Sequence, residues 1–352
     1  MPSDRGFRKP QRMVALSACS NMPALADDDP APLVWVLHDG KAGMASQALG
    51  LAEATGFPFV EKSLTVHAPW VWLPPQIWLA PLAAVSDGGL KLRPPWPDLV
   101  IGCGRNTAAP ALAIRKASGG RTIAAQVQDP RIGREEFDLM LVPEHDRYRG
   151  PRVITTKGAL HRVTPEKLAA ARARLPELAA LPRPILGVLI GGSNRAYRLP
   201  LDRLAAIADA IAAAVRETGG SAVVTPSRRT GDEGVALLRE RLAGLHASIW
   251  DMSGDNPYFA YLAVADALLV TADSVSMISE AAATGKPVHI IELDGGDAKF
   301  ARFHQAMRDA GIIRPFAGRI ESWRYTPPDD TARAGAALRA LVLDRLKMRA
   351  AR

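Results

Sequence analysis

The sequence predicts an α/β protein built from two doubly wound, Rossmann-like domains, and three observations carry that prediction. Short apolar, β-rich runs alternate with Ala/Leu-rich helical stretches from residue 32 onward, the pattern of parallel sheets covered on both faces. Several of these runs end in loops of Gly, Asp, Ser and Asn, the place where such sheets carry ligands. At 352 residues the chain exceeds one ordinary core and suits two. With 48% hydrophobic and 23% charged residues, it is not a disordered, collagen-like or coiled-coil chain. Two cysteines, Cys19 and Cys103, exclude a disulfide framework and a cysteine zinc cluster. The formal charge of +8 suits anionic partners.

Taken in order, residues 1–31 lack sustained periodicity and balance four basic against four acidic residues, with Asp27-Asp28-Asp29 near their end. They are expected to form a disordered tail. Leu16 to Cys19 looks like a lipoprotein box and Ala24 to Ala26 like a signal-peptidase site, but the apolar stretch before each is too short for a secretory signal. Pro32 to Leu37 reads as a strand, followed by the loop His38-Asp39-Gly40-Lys41-Ala42-Gly43 and a helix from Gln47 to Ala54. Ala68 to Ser86 has no formal charge and holds Trp70, Trp72 and Trp78. Pro69, Pro74, Pro75 and Pro81 forbid a continuous helix there, so it is no membrane span. It can lie at a bilayer interface, cover an apolar acceptor, or simply pack between elements.

Strand–loop–helix units follow. Asp98 to Ile101 leads through Gly102-Cys103-Gly104-Arg105-Asn106-Thr107 into a helix from Ala108 to Lys116. Thr122 to Val127 and Leu139 to Val142 are further strands, and Thr164 to Pro184 reads as a helical connector. The expected N-terminal domain is 32–165 and the C-terminal domain 184–325. The second domain opens on the apolar strand Ile185 to Ile190 and the loop Gly191-Gly192-Ser193. Strands are also expected at Ser221 to Thr225, Ala247 to Trp250, Ala267 to Val270 and Val288 to Leu293, with helices at Leu201 to Thr218, Glu233 to Ala243, Tyr258 to Val264 and Met277 to Thr284. Residues 326–352 form a basic segment, read as helix from about Thr331, with the apolar stripe Leu338, Leu341, Val342, Leu346 and Met348. Docking back on the first domain and membrane binding are both open to it.

Several loops have phosphate-binding chemistry. Glycines at 191 and 192 let backbone N–H groups approach an anion, and a helix N-terminus favours its charge. Ser274 and Ser276 add hydroxyls, and Glu280, one turn beyond Ser276, can accept ribose hydroxyls or simply occupy a dipole-favoured position. Arg228 and Arg229 present forks matched to phosphate oxygens, or sit in a solvated turn. Gly102 and Gly104 form a G-x-G, but no third glycine follows at dinucleotide spacing. There is no H-E-x-x-H, no Walker A sequence, and no tyrosine with a lysine four residues on, the pair used by short-chain sugar-nucleotide epimerases. The cluster Asp294 to Asp297 reads as a loop rather than a metal site.

Gly43-Met44-Ala45-Ser46-Gln47-Ala48-Leu49, Pro97 to Gly104, Ile190-Gly191-Gly192-Ser193, and Ala265 through Ser274 and Glu280 to Gly285-Lys286-Pro287 together resemble the GT-B glycosyltransferases, especially the lipid-II-forming glucosaminyltransferases. Asp39 to Gly43, Gln47 to Glu53, and Thr225-Pro226-Ser227-Arg228-Arg229-Thr230 resemble more closely a bacterial and plant family named for elongated mitochondria, whose plant members act in mitochondrial fission. The GT-B resemblance implies two domains facing a cleft and a metal-independent glycosyl transfer from a nucleotide-diphosphate sugar, with no cofactor. Gly191, Gly192, Ser193, Arg228, Arg229, Ser274 and Ser276 would then hold phosphates and Glu280 the ribose, with Gly102, Gly104 and Asn106 also in the substrate site. The glycosyltransferases have a proposed histidine base where this chain has Met44, and a thioether takes no proton at neutral pH. Asp39, then His38, are the expected replacements. The fission-family resemblance implies the other reading, a non-catalytic adaptor at a membrane. Expected partners are a nucleotide-sugar and a membrane surface or lipid-linked acceptor, not nucleic acid. The expected location is cytoplasmic, with peripheral attachment to the inner membrane.

Overall fold

The computed structural model describes residues 31–351 and the backbone of residues 13 and 14; the expected tail and its signal-like motifs lie outside these residues. The chain divides into two compact units. The first unit contains β1 (Val34–His38), α1 (Ala42–Thr55), β2 (Phe59–Val66), β3 (Leu99–Cys103), α2 (Arg105–Ala117), β4 (Ile123–Val127) and most of β5 (Leu139–Pro143). Four of these five strands are buried along their whole length, which requires cover on both faces and explains the unbroken apolar runs. They pair in parallel in the order β2-β1-β3-β4-β5. In chain order this is 2-1-3-4-5, one of the two common doubly wound arrangements, with its reversal point between β1 and β3.

The second unit contains α3 (Pro165–Arg174), β6 (Ile185–Ile190), α4 (Leu201–Thr218), β7 (Ser221–Pro226), α5 (Gly231–Arg241), β8 (Ala247–Ile249), α6 (Tyr258–Val264), β9 (Ala267–Thr271), α7 (Val275–Ala282), β10 (Val288–Ile291), α8 (Ala298–Asp309) and β11 (Ile313–Pro315). The six strands of its main sheet are all parallel, in the order β8-β7-β6-β9-β10-β11. Numbered within the unit that is 3-2-1-4-5-6, the other doubly wound order, with its reversal point between β6 and β9. Both units are therefore Rossmann-like. The expected connector is not a linker: α3 packs on α6 and belongs to the second unit.

The last helix, α9 (Asp330–Ala350), joins the first unit from Thr331 onward. Leu338 and Val342 are fully buried. Three of its basic side chains are also engaged within that unit: Arg339 donates to the Thr55 carbonyl at 2.9 Å, while Arg345 and Arg349 pair with Asp138 and Asp98 at 3.2 and 3.3 Å. These partners hold three of the charges that the membrane-binding alternative for this helix would use.

Candidate functional site

In the second unit the site forms where the strand order reverses. The loops after β6 and β9 lie side by side because β6 and β9 are neighbours. The Gly191 N–H donates to Thr271 Oγ1 at 2.8 Å, and the Gly192 N–H donates to Asp273 Oδ2 at 3.2 Å. The expected roles of Gly191 and Gly192 as phosphate donors are corrected here, since both amides already have acceptors from the chain itself. A Cβ on Gly191 would lie 2.2 Å from Asp273 Oδ2, and one on Gly192 only 2.4 Å from the Arg229 carbonyl oxygen. The glycines mark a close approach, as the sequence implied, but what approaches is protein rather than phosphate.

Asp273 is the anion at the centre of this arrangement. Its side chain is fully buried and pairs with Arg229 at 2.7 Å. Arg229 also donates to the Gly192 carbonyl at 3.0 Å. It is therefore committed to the loop, and its expected role on a free diphosphate is corrected too. Ser274 caps α7, accepting the Met277 N–H at 3.3 Å, which leaves its hydroxyl hydrogen to donate elsewhere. Ser193 similarly accepts the Leu199 N–H at 2.8 Å. The expected helix Leu201–Thr218 forms with those bounds, and a short strand at Tyr197–Arg198 lies between it and the glycine loop.

Glu280 is buried and accepts a 2.6 Å hydrogen bond from the Tyr258 hydroxyl. Burial drives the Tyr258 phenol well above its ordinary range, so it remains the donor. A ribose would compete with this phenol for Glu280. Arg228 is exposed and, with Ser276, makes no side-chain contact that would commit it elsewhere among the described residues.

A cavity of about 570 Å³ opens beside these loops, lined by Asn194, Arg195, Ala196, Gly296, Asp297 and Phe300. That is the size of small-ligand sites. Asn194 builds its wall: its amide donates to the Asp273 carbonyl at 3.1 Å and accepts the Ala196 and Tyr197 N–H groups at 2.8 and 2.9 Å. Asp297 caps α8 through the Lys299 and Phe300 N–H groups. Arg195 is exposed and has no ion-pair partner among the described residues. Sequence reading gave no role to Arg195, Asn194 and Asp273; the one available signal was their position in or next to the strand-end loops already singled out. Among the described residues there is no group of three or more His, Cys, Asp or Glu suited to a metal.

The reversal point of the first unit places Asp39, at the end of β1, against the start of α2. Asn106 donates to Asp39 Oδ2 at 3.5 Å, and Lys41 forms an ion pair with the same carboxylate. Lys41 is largely exposed, with Asp39 at 13% side-chain exposure. Neither α1 nor α2 has a side-chain hydrogen bond capping its N-terminus. His38 is different. Its Nδ1 accepts the Gly40 N–H at 3.1 Å, so Nε2 carries the proton and donates to Glu61 at 2.8 Å. With both ring nitrogens engaged, His38 positions the loop and is corrected as a base. Gly102 faces Gln126 and Thr107, a Cβ there lying 2.5 Å from Gln126 Oε1; Gly104 (φ +83°) starts α2 and rests against Met44. Cys103 is buried beside Met44, and burial pushes its thiol far above the range of a nucleophile.

Residues 42–342 match the family described as Mitochondrial fission ELM1. The chain belongs to that family. It is 35% identical over 271 residues to the Mitochondrial fission protein ELM1 of Arabidopsis thaliana, covering 69% of this chain and 63% of that protein, so it spans less than two thirds of that relative's length. An uncharacterized protein of Rickettsia prowazekii is 27% identical over 348 residues, covering 84% of this chain and 94% of its own. Among solved structures, the UDP-GlcNAc 2-epimerase from Methanocaldococcus jannaschii aligns with a TM-score of 0.55 at 12% identity, covering 88% of this chain and 99% of that one. At that identity the likeness is one of fold: this ELM1-family chain has the two-Rossmann-domain, GT-B-like fold. No helix among the described residues is long and apolar enough to cross a membrane.

Proposed function

We propose that the second unit binds a nucleotide-diphosphate sugar and that the protein is a metal-independent glycosyltransferase of GT-B type acting on a lipid-linked acceptor, peripherally attached to a membrane. The observation that carries the reading is the cavity of about 570 Å³ with its uncommitted Arg195, beside loops at the strand-order reversal. A guanidinium fork there matches diphosphate oxygens. Arg228, Ser193, Ser274 and Ser276 supply further donors, and Glu280 can exchange the Tyr258 phenol for a ribose hydroxyl. A structure of the same fold, the Methanocaldococcus jannaschii epimerase with a TM-score of 0.50, is described in complex with UDP-GlcNAc and UDP, which supports the ligand class.

In the transfer itself, the acceptor oxygen forms a bond to the anomeric carbon and the bond from that carbon to the diphosphate breaks. The acceptor's proton passes to a general base, for which Asp39 of the first unit is the candidate, and the departing diphosphate keeps the electron pair, stabilised by preorganised donors in the second unit. Lys41 must swing away from Asp39 first; its exposure leaves that motion unobstructed.

A second reading is favoured by one specific observation. Asp273 already fills the anion position at the glycine loop, as a fold retained without catalysis would permit. The family would then act through partners as an adaptor.

Thermal unfolding with a panel of nucleoside-diphosphate sugars separates the two. Binding at a hundredfold excess over Kd stabilises by about 2.7 kcal/mol, so a midpoint rise of several degrees is expected, and Arg195→Ala should abolish it. Absence of any shift across the panel overturns the glycosyltransferase. If binding occurs, Asp39→Asn should reduce turnover at least a hundredfold with binding unchanged. Equal turnover removes Asp39 as the base.

A further inference from the structure

The charge-free segment of the first unit does not pack away as ordinary inter-element filling. Six of the large apolar side chains left in solvent come from residues 71–90: Val71, Trp72, Leu73, Ile77, Leu79 and Leu90, with Trp72 at 78% and Leu79 at 93% exposure. Clusters of this kind on a folded surface mark something that is to be covered. The scaffold beneath them is built, not frayed. Trp70–Trp72 and Pro75–Ile77 each form a 3₁₀ turn. Trp78 is buried and donates its indole N–H to the Leu73 carbonyl at 3.1 Å, pinning one turn to the other. The knob therefore presents its apolar side chains from fixed backbone.

The first charges after it in the chain are one acid, Asp87, and two bases, Lys91 and Arg93. The acid nearest in sequence, Asp87, is neutralised by Lys62 at 3.3 Å. Leu92 belongs to the same buried cluster as Trp78, and its chain neighbours Lys91 and Arg93 are exposed. α2, which packs against the Pro75–Ile77 turn, carries the exposed Arg105 and Lys116 and no carboxylate, while its third base, Arg115, is paired with Asp138 at 3.2 Å. A second protein surface would be matched by a mixed rim; an apolar knob with tryptophan, flanked by exposed bases and with its nearest acid in sequence paired, matches a bilayer bearing anionic headgroups.

We infer that Trp72, Ile77 and Leu79 insert into the interface of an anionic phospholipid bilayer, with Lys91 and Arg93 on its headgroups. This rests on the proposed membrane attachment and assigns it to the knob rather than to α9, whose arginines are spent within the unit.

Co-sedimentation of the full chain with phosphatidylcholine vesicles, with and without phosphatidylserine, tests the assignment. Binding is expected only with phosphatidylserine, weakening with added salt. Trp72→Ser and Leu79→Ser should each reduce it about tenfold, and Lys91→Glu with Arg93→Glu should do the same, all with unchanged unfolding midpoints and nucleotide-sugar response. Brominated acyl chains should quench tryptophan emission in the parent and not in Trp72→Ser. If the variants bind as the parent does, membrane attachment stands and the knob is the wrong site. If the parent ignores both vesicle types, both are overturned. In that case a concentration-dependent mass abolished by Trp72→Ser identifies a second copy as the occupant, and acrylamide access to Trp72 appearing only after removal of residues 1–30 identifies that segment.

Discussion

At the scale of single residues, the buried charge of Asp273 is the most consequential feature of the second unit. A carboxylate taken out of water must be paired, and removing its partner leaves the full desolvation penalty standing. Arg229 is that partner, at 2.7 Å. Arg229→Ala is therefore expected to destabilise the protein by about 3 kcal/mol, measured as a lower urea midpoint, whereas Arg228→Ala, at an exposed position, should move it by less than about 0.5 kcal/mol. Equal effects would mean that the Asp273 pair is unimportant. Two histidines in the same unit set its response to acid. Burial lowers both His161 and His304 to about 4, and the ring of His304 donates to the carbonyl of Ala272 at 3.0 Å. Their folded values lie below the unfolded one, so above pH 6.5 neither affects the balance. As the pH falls from 6.5 toward 4, the unfolded chain takes up protons that the native state refuses, and stability is lost. Each histidine contributes on the order of 2–3 kcal/mol to that loss. Urea midpoints measured between pH 7 and 4 should fall through this window, and His304→Gln should make the fall shallower; an unchanged slope would contradict this account.

At the scale of elements, the docking of α9 depends on close approach. A Cβ on Gly335 would lie 2.4 Å from Ala54 Cβ and 2.5 Å from the Ala54 carbonyl oxygen, at the end of α1. Glycine is required there by proximity, not by an unusual backbone angle. Gly335→Val should overpack the crossing by about 3 kcal/mol, lowering the unfolding midpoint and opening the chain to protease near residue 330. A valine variant with parental protease resistance would show the crossing to be adaptable. The sequence showed α9 as an amphipathic basic helix and could not tell docking from membrane binding. The deciding fact is that Asp98 and Asp138, more than 200 residues away in the chain, face Arg349 and Arg345. Local pattern carries no record of a partner so distant. The same holds for the Trp70 to Trp78 segment: composition marked it as unusual, and only exposure separated a buried Trp78 from an exposed Trp72.

At the scale of the whole molecule, the two Rossmann-like units were legible because strands buried on both faces must be uniformly apolar, and strands such as Ile185–Ile190 are. That alternation of strand and helix, together with the family resemblance, is the part the amino-acid sequence determined by itself. It also located the loops at strand ends. What those loops do was decided only by tertiary structure. Strand order brings Gly191 within hydrogen-bonding distance of Thr271, 80 residues on, and so fills an apparent phosphate loop with the chain's own Asp273. A Gly-Gly dipeptide records that something must come close; whether it is a ligand or a neighbouring loop depends on which strands lie side by side, and strand pairing is a contest among long-range contacts that no local stretch of sequence settles.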